Sequence, residues 1–460
     1  MRNGELSWWW RSLGGPPPPR PPLAGPTEAD VAIVGAGFTG LWTAYHLKRA
    51  RPSLEIVVLE REHAGFGASG RNGGWVSGFF SGAPRAYERS AGAGSAGYAA
   101  LQRTMIATVA SIGELVSAQR IEADFVHGGA LSVALNAAQA ARLRERTATQ
   151  RAHGLLRARD LHELGAGELA ERVRVAGAQA AAFSPHVARV QPVKLVLGLA
   201  AAVERAGVRI YERTPVSAIV AHEARTPMGA VRARWVVRAT EAFTADLPGR
   251  RRELAPVTSS MIVTEPLAPD VWEELGWSGC ELLDDGAHVY AYLQRTADGR
   301  IAIGGRGVPY RFGSRTERDG VAADTVAALR ARLVAMFPAA GGAQIEHAWS
   351  GVLGVARDWC VSVQADPTSG LASAGGYAGE GVAASNLAAR TLRDLILGER
   401  SELTALPWVA HRSRRWEPEP LRWAGIRGVY ALYRAADRAE RRSGRPSRLA
   451  RVLDSVSARS

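Results

Sequence analysis

The sequence predicts an α/β protein in which a Rossmann-type dinucleotide-binding domain is joined to a second domain with an antiparallel sheet. A short apolar, β-branched run at 31–34 leads into a glycine turn at 35–40, and helically spaced apolar residues follow the turn. A second buried strand is predicted at 56–59 and ends in Glu60. The stretch 257–310 is rich in β-type runs separated by turn residues, which is typical of an antiparallel sheet.

The glycine turn has the spacing of a dinucleotide-binding fingerprint, with an acidic residue 20 positions beyond its last glycine. In this pattern Gly35 permits the sharp turn, Gly37 lets the backbone approach a pyrophosphate, and Gly40 allows close packing of helix on strand. The free amides and the positive end of the following helix bind phosphates. We therefore expect Gly35, Gly37, Phe38, Thr39, Gly40 and Glu60 to bind the cofactor, Glu60 through the ribose hydroxyls.

The composition is that of an ordinary globular protein, with 460 residues, 47% hydrophobic and 22% charged. The only cysteines are Cys280 and Cys360, so a disulfide framework is excluded and a reducing, cytoplasmic compartment is expected. No run of 18 apolar residues occurs, and the N-terminus lacks an apolar signal region, so neither an integral membrane segment nor secretion is expected. The net charge of +13 comes almost wholly from arginine, which indicates a scattered basic surface rather than a nucleic-acid partner.

Other common chemistries are largely excluded. Neither Lys48 nor Lys194 lies in a P-loop pattern, and the ten histidines show no zinc-binding spacing. The segment 67–71 misses the nucleophile-elbow pattern because Arg71 replaces its last glycine. We therefore expect no metal site.

A second loop rich in glycine and polar residues, at 65–74, selects FAD over NAD. A nicotinamide enzyme has no use for such a loop after the ribose-binding strand, whereas the longer flavin dinucleotide does. With this loop, the stretch 30–74 resembles the D-amino-acid oxidase (DAO) family of FAD-dependent oxidoreductases, most closely its glycine, sarcosine and γ-glutamylputrescine oxidase-like members. The resemblance implies FAD held by further residues of this stretch, namely Arg61, Gly67, Ala68, Ser69, Arg71, Asn72, Gly73 and Gly74.

The resemblance recurs in later segments, at 184–192 with 207–216, at 235–242 and at 375–381. The last of these is a glycine turn that opens a helix, and in the family it lies beside the flavin ring. The resemblance implies that FAD also contacts Val216, Ala239, Thr240, Gly376, Gly379 and Gly381.

The chain departs from the family at two positions. Sarcosine-oxidase-like members attach FAD through a cysteine seven residues before a late aspartate, and the corresponding position here is Gly351. The same relatives have a lysine near the flavin that promotes reaction with oxygen, and the aligned residue here is Ala302. We therefore expect noncovalent FAD and slow reaction with oxygen.

Candidates for the substrate site are Tyr290, Tyr292, Arg306 and Tyr377, which we take as catalytic. The two tyrosines lie in a predicted strand, and we expect one ring to face the pocket and the other the core. Arg306 is placed to pair with a substrate carboxylate, and Tyr377 flanks the late glycine turn. For each of them, a packed aromatic ring or a solvated arginine is the structural alternative.

The chain is thus expected to form a Rossmann-type FAD-binding domain and an antiparallel-sheet substrate domain that together oxidise the C–N bond of an amine or amino acid. Hydride transfer to flavin N5 would give an imine that water hydrolyses, with oxygen or another compound as electron acceptor. The alternatives are a dehydrogenase of a hydroxy acid or polyol phosphate, or a membrane-surface or partner-binding protein using the basic segment 434–451. The predicted boundaries are a Pro-rich extension at 1–29, the FAD domain at 30–110, 155–245 and 346–400, the substrate domain at 111–154 and 246–345, and a basic extension at 401–460.

Overall fold

The structure is a computed structural model that describes residues 6–90, 93–152, 155–315 and 320–457. Its strands, in chain order, are β1 Thr27–Val34, β2 Ile56–Leu59, β3 Trp75–Ser77, β4 Ala130–Ala134, β5 His162–Gly165, β6 Ala180–Ser184, β7 Val187–Arg189, β8 Arg209–Tyr211, β9 Ala218–Val220, β10 Glu223–Thr226, β11 Gly229–Arg238, β12 Ala255–Thr264, β13 Leu282–Asp284, β14 Tyr292–Arg295, β15 Ile301–Gly305, β16 Ile345–Val355, β17 Ser362–Asp366 and β18 Leu371–Gly375. Its helices are α1 Trp8–Arg11, α2 Phe38–Ala50, α3 Pro84–Arg89, α4 Gly94–Ala118, α5 Ala137–Ala152, α6 Ala166–Ala170, α7 Pro192–Arg205, α8 Pro269–Leu275, α9 Ala323–Met336, α10 Gly381–Leu397, α11 Leu421–Ser443 and α12 Arg448–Ser457.

The first sheet has a parallel centre. Its strands follow the order β17-β18-β11-β1-β2-β8, with β10 and β9 added beside β11. Val31 in β1 lies opposite Ile56 in β2 and Trp235 in β11, all in parallel register. Helices α2, α7 and α10 bury their apolar faces against this sheet. Parallel strands with helices packed on them form the predicted Rossmann-type domain, which the structure confirms.

The second sheet is largely antiparallel and follows the order β16-β12-β15-β14-β13-β4-β6-β5. The β12–β15 and β14–β15 pairs are antiparallel, whereas β13 and β4 run parallel. Apolar residues of α9, with Trp277 and Phe337, cover one face of this sheet. The antiparallel sheet predicted from the stretch 257–310 is therefore confirmed.

Sheet membership differs from the predicted boundaries. Strands β5 and β6 fall inside the segment 155–245, and all of β16 except Ile345 falls inside 346–400, yet all three strands pair within the second sheet. Helix α4 extends past residue 111 and packs in the core of the first sheet as far as Val116. The chain therefore crosses between the two sheets more often than its sequence pattern indicates.

The terminal segments are docked on the molecule. Trp8, Trp9 and Trp10 are buried in a cluster with Ala302 and Trp349, as expected for three tryptophans that avoid water. Helix α11 packs near the second sheet, where the Asp437 carboxylate accepts backbone N–H bonds from His288 at 2.9 Å and Val289 at 3.1 Å. Among the described residues, no helix is long and apolar enough to cross a membrane.

Candidate active site

The glycine turn between β1 and α2 requires glycine at two places. Gly35 has a φ of +108°, and an added Cβ would lie 2.6 Å from the carbonyl oxygen of Ala239. A Cβ on Gly40 would collide with the carbonyl oxygen of Gly35. The amide of Phe38 begins α2 and donates to the Ser69 hydroxyl at 2.8 Å. The turn therefore presents a helix N-terminus, the usual binding site for a phosphate, next to the loop 65–74.

Glu60 directly follows β2, and its side chain contacts the backbone of the same glycine turn. Its carboxylate accepts the amide of Ala36 at 2.8 Å and that of Glu62 at 3.0 Å. Burial raises the pKa of Glu60, and the two backbone hydrogen bonds oppose this rise. Glu60 thus lies beside the predicted phosphate-binding turn, where the ribose hydroxyls of a dinucleotide are expected.

The loop 65–74 is held by its own polar side chains. The Arg71 guanidinium is buried and donates to the carbonyl oxygens of Phe66 and Ser350, each at 3.1 Å. Burial lowers the pKa of Arg71 to about 10. The Asn72 side chain donates to the carbonyl oxygens of Ala68 and Ser69 and accepts the amide of Gly74 at 2.8 Å. These bonds fix the loop in one conformation.

The late glycine turn at 375–381 is anchored by Glu241, which the sequence analysis did not propose as a site residue. Its carboxylate accepts the amides of Gly376 at 2.9 Å and Tyr377 at 3.0 Å, and that of Gly354 in β16 at 2.6 Å. Burial raises the pKa of Glu241 to about 7, against the opposing effect of these three amides. Glu241 therefore ties the turn before α10 to the second sheet. Its position after β11 was visible in the sequence, but its partners are more than 100 residues away.

A cavity of about 1650 Å³ opens near these turns. It exceeds the roughly 300–1,000 Å³ of a usual small-molecule pocket, so it has room for a large cofactor ring and a substrate together. Predicted residues in its wall are Ala68, Arg71, Asn72, Gly73, Tyr290, Tyr292, Arg306 and Gly379. The turn 35–40 is not part of the wall, but Ala68 in the wall adjoins Ser69, which contacts the start of α2.

Tyr290 and Tyr292 both line the cavity, with ring centroids 6.4 Å apart. The expectation that one would face the core was wrong, because residues two apart in an extended chain share a face. Ala291 between them is the fully buried one. The Tyr292 hydroxyl lies 3.0 Å from the Ser259 hydroxyl. Its ring packs so closely on Gly73 that an added Cβ there would lie 2.7 Å from the ring.

Arg306 follows β15 and also lines the cavity. Its Nη1 atom is buried and has no acceptor at hydrogen-bond geometry in the described part of the chain, although the Tyr430 hydroxyl lies close to the guanidinium and, against the effect of burial, raises its pKa. A buried guanidinium nitrogen without a partner costs free energy unless an anion pairs with it. The arrangement fits an anionic group of a bound ligand.

Tyr377 does not join the other predicted catalytic residues. It is buried in the core of the first sheet, and its hydroxyl lies 3.0 Å from the Thr39 hydroxyl in α2. Its side chain therefore braces the turn against α2 and does not face the cavity. Three predicted cofactor residues lie outside the cavity wall and contact other parts of the protein. The Arg61 guanidinium pairs with the Asp246 carboxylate at 3.1 Å, and the Thr240 and Thr244 hydroxyls form a hydrogen bond. Val216 packs against apolar side chains of the first sheet.

The two positions that differ from the family lie in different surroundings. Gly351 lines the cavity, and an added Cβ would lie 3.1 Å from the Cβ of Arg71. Ala302 is fully buried in the tryptophan cluster of α1 and is not part of the cavity wall.

Cys360, His288 and His411 are held by burial and by hydrogen bonds to neighbouring carboxylates. Burial raises the pKa of the Cys360 thiol, so it stays protonated. Two groups of potential metal ligands occur in the described residues, Asp358 with Cys360 and His411, and His288 with Asp437 and Glu440. In each group a histidine bonds a carboxylate directly, at 2.8 Å for His411–Asp358 and 3.1 Å for His288–Glu440. These hydrogen bonds account for both groups without a metal ion.

A Rossmann-type sheet, a second, largely antiparallel sheet and a large cavity bordered by the loop 65–74 and the late glycine turn are the arrangement expected of a flavin-dependent oxidoreductase. Residues 30–395 match the family described as DAO, FAD dependent oxidoreductase, and the chain belongs to this family. Its cofactor is FAD, and the glycine turns, the α2 N-terminus and the size of the cavity fit that cofactor.

Curated relatives cover most of the chain. It is 30% identical over 393 residues to gamma-glutamylputrescine oxidoreductase of Escherichia coli, which covers 83% of this chain and 87% of that protein. It is also 30% identical over 399 residues to a probable oxidoreductase, OrdL, of Haemophilus influenzae, covering 84% and 86%. Among solved structures, glycine oxidase from Geobacillus kaustophilus superposes with a TM-score of 0.69 at 24% identity, covering 82% of this chain and 96% of that one. L-Proline dehydrogenase from P. horikoshii gives 0.67 at 18% identity, covering 83% and 98%, and both structures support the fold alone.

Proposed function

We propose that this FAD-dependent oxidoreductase oxidises a C–N bond of an amine or amino acid. The observation that carries the proposal is the cavity wall, in which Arg306, with its unpartnered Nη1, lies beside two tyrosines and the loop expected to contact the flavin. The similarity over most of the chain to a relative named for an amine substrate supports the same class. It favours amines over the hydroxy acid, polyol phosphate and interaction-protein alternatives.

The cofactor supplies the redox chemistry, since bound FAD accepts a hydride equivalent from the carbon next to the amine nitrogen. The chain itself binds and orients the substrate. Arg306 pairs with a substrate carboxylate, and the rings of Tyr290 and Tyr292 form the wall against which the substrate carbon is held. Helix α10 begins at the late glycine turn, so its positive end favours negative charge on this side of the cavity.

The proposal includes noncovalent FAD, because position 351 carries no thiol. It also includes a cytoplasmic location, which agrees with two cysteines that are both free thiols. The electron acceptor is oxygen or another small molecule.

The test is anaerobic mixing of the purified yellow protein with a panel of amines and amino acids, each beside its hydroxy analogue. We expect the flavin absorbance to bleach with at least one amine and to persist with the matching alcohol or hydroxy acid. Bleaching by hydroxy acids or polyol phosphates alone would overturn the proposal.

A further inference from the structure

We propose that Glu380 takes the proton from the ammonium group of the substrate, so that the cavity binds a cationic amine and converts it to the neutral amine that is oxidised. This inference rests on the proposed function. It assigns a catalytic base and identifies the substrate as an amine that arrives protonated.

Glu380 is the residue directly before α10 and lines the cavity that contains Tyr290, Tyr292 and Arg306. Asp284 connects Glu380 with the tyrosines and Arg306 along the cavity wall. Asp284 itself lines the cavity and lies opposite Tyr292 across the β13–β14 pair. Tyr292 in turn lies opposite Gly304 in β15, two residues before Arg306. The carboxyl of Glu380 and the guanidinium of Arg306 therefore belong to one continuous wall.

The surroundings of Glu380 suit proton exchange near neutral pH. Burial raises the pKa of Glu380 to about 7, a hydrogen bond from Ser77 opposes this, and the nearby charge of Asp284 adds to it. A base works best when its pKa lies near the operating pH. The cavity wall also contains other titratable or charged groups, namely Arg71, Arg85, Glu88, Arg89, Tyr98, Arg142, Glu145, Arg146, Asp284, His288, Tyr290, Tyr292, Arg306, Asp358, His411, Arg412, Tyr433, Arg451 and Asp454.

Asp284 is a poorer candidate for this role. Its carboxylate already accepts the Ser132 hydroxyl at 2.6 Å and the amide of Gly286 at 3.1 Å. A proton on Asp284 would weaken both bonds, whereas Glu380 accepts a hydrogen bond from Ser77. Of these two carboxyls, Glu380 is therefore the one that gains and loses a proton at the smaller cost.

The proton and electron balance is simple. One N–H bond of the ammonium breaks, its proton forms an O–H bond on the Glu380 carboxylate, and the electron pair remains on nitrogen. That pair would then support loss of a hydride from the adjacent carbon to bound FAD, leaving an iminium ion. The Glu380 proton passes to solvent when the product leaves. Arg306, at the basic end of the wall, would hold the carboxylate of a zwitterionic amino acid.

The kinetic test uses the holoenzyme with glycine, N-methylglycine and putrescine as probes. Anaerobic flavin reduction is followed from pH 6 to 10 in wild type, Glu380→Gln, Glu380→Asp and the control Glu145→Gln, an exposed residue at the cavity margin. We expect Glu380→Gln to lose about 100-fold or more in reduction rate at pH 7. The loss should shrink towards pH 10, where the amine deprotonates itself, and Glu380→Asp should restore part of the rate at pH 7. An equal loss at every pH, or none, would overturn the role of Glu380.

If no probe reduces the flavin, that result counts against the proposed function and leaves the role of Glu380 to a binding test. The probe is 2-aminoisobutyrate, which has no α-hydrogen and is not oxidised, and its match without an amine is isobutyrate. Binding is measured by the change in flavin absorbance, and FAD content is checked in each variant. We expect Glu380→Gln to weaken 2-aminoisobutyrate by about 10- to 150-fold at pH 8 and to leave isobutyrate within threefold. Equal binding of 2-aminoisobutyrate to wild type and Glu380→Gln would contradict the inference.

Discussion

Glu60 and the glycine turn act as one unit. The carboxylate of Glu60 holds the amide of Ala36, while the backbone of Gly35 takes a conformation that L side chains rarely adopt. Spacing alone predicted the turn and the acid, because both follow from a strand–turn–helix pattern. The bond from Ala36 to Glu60 could not be predicted, since it depends on the exact approach of two parallel strands.

We predict that Glu60→Ala weakens FAD binding. Loss of a buried acceptor for ribose hydroxyls and for the Ala36 amide costs about 1–3 kcal/mol. That corresponds to roughly 5- to 150-fold in affinity, with a lower Tm of the holoprotein. The measurement is FAD titration of the apoprotein, with the exposed Glu55→Ala at the other end of β2 as the control. Unchanged affinity in Glu60→Ala would mean that another residue binds the ribose.

The surroundings of Ala302 differ from those that the resemblance to the family implied. A lysine at this position was expected to face the flavin, but Ala302 is fully buried among Trp8, Trp9, Trp10 and Trp349. Ala302→Lys should therefore destabilise the fold, by about 3 kcal/mol or more, because an unpaired ammonium would be buried. Thermal unfolding should show a clear fall in Tm, whereas the exposed Ala170→Lys should unfold near the wild-type temperature. A wild-type Tm for Ala302→Lys would show that this position opens to solvent or to the cavity.

Helix α1 supports the loop that lines the cavity. The Trp9 indole donates to the carbonyl oxygen of Asn72 at 2.8 Å, and the Trp9 carbonyl accepts the Gln191 side chain at 2.9 Å. Trp349 donates to the carbonyl oxygen of Arg71 at 2.9 Å on the same side. The N-terminal extension is therefore part of the framework of the site.

We predict that Trp9→Ala lowers both stability and FAD content. Truncation of a fully buried tryptophan typically costs about 3–5 kcal/mol, and here it also frees the Asn72 carbonyl. The measurements are Tm and the ratio of FAD to protein after purification. Leu13→Ala in the same segment is the matched control, because Leu13 is 40% exposed. If the Trp9→Ala protein were destabilised but still fully occupied by FAD, Trp9 would contribute to stability alone. That result would contradict its role in supporting the loop 65–74.

Most of the helices and strands could be recognised from the sequence. The strands with which several of them pair could not. Strand β16 could be recognised as apolar, yet its pairing with β12 depends on contacts between segments about 90 residues apart. The end of α10, by contrast, is marked in the sequence itself, because Gly398 at φ +73° stops the helix locally. Local signals were thus readable from the sequence, whereas sheet membership depended on tertiary contacts.

The cavity brings together strands of the second sheet, the start of α10 and the C-terminal segment. Tyr433 of α11 and Ala450 of α12 belong to its wall, together with Tyr292 of the second sheet. Helix α11 also fixes the backbone beside Tyr290 through Asp437. The segment expected to be a basic extension therefore helps to shape the cavity, which sequence patterning alone did not reveal.

We predict that the reduced flavin reoxidises more slowly in air than with a quinone dye. A positive charge close to the flavin promotes electron transfer to oxygen by stabilising superoxide. The lysine that the resemblance assigns to this role is absent here, because position 302 is an alanine buried outside the cavity wall. The measurement follows the return of yellow absorbance after substrate reduction, in air-saturated buffer and in anaerobic buffer with the dye. Equal rates would contradict the prediction and assign the charge to Arg306, the cavity arginine whose Nη1 is unpartnered.

The most direct test of FAD-dependent amine oxidation is a single-turnover measurement of product against flavin. The holoprotein is mixed anaerobically with a slight deficit of the amine or amino acid that bleaches it, and the carbonyl product and released amine or ammonia are quantified. The account predicts one C–N bond cleaved for each FAD reduced. Bleaching without release of a carbonyl compound and an amine, or no reduction by any amine tested, would contradict it.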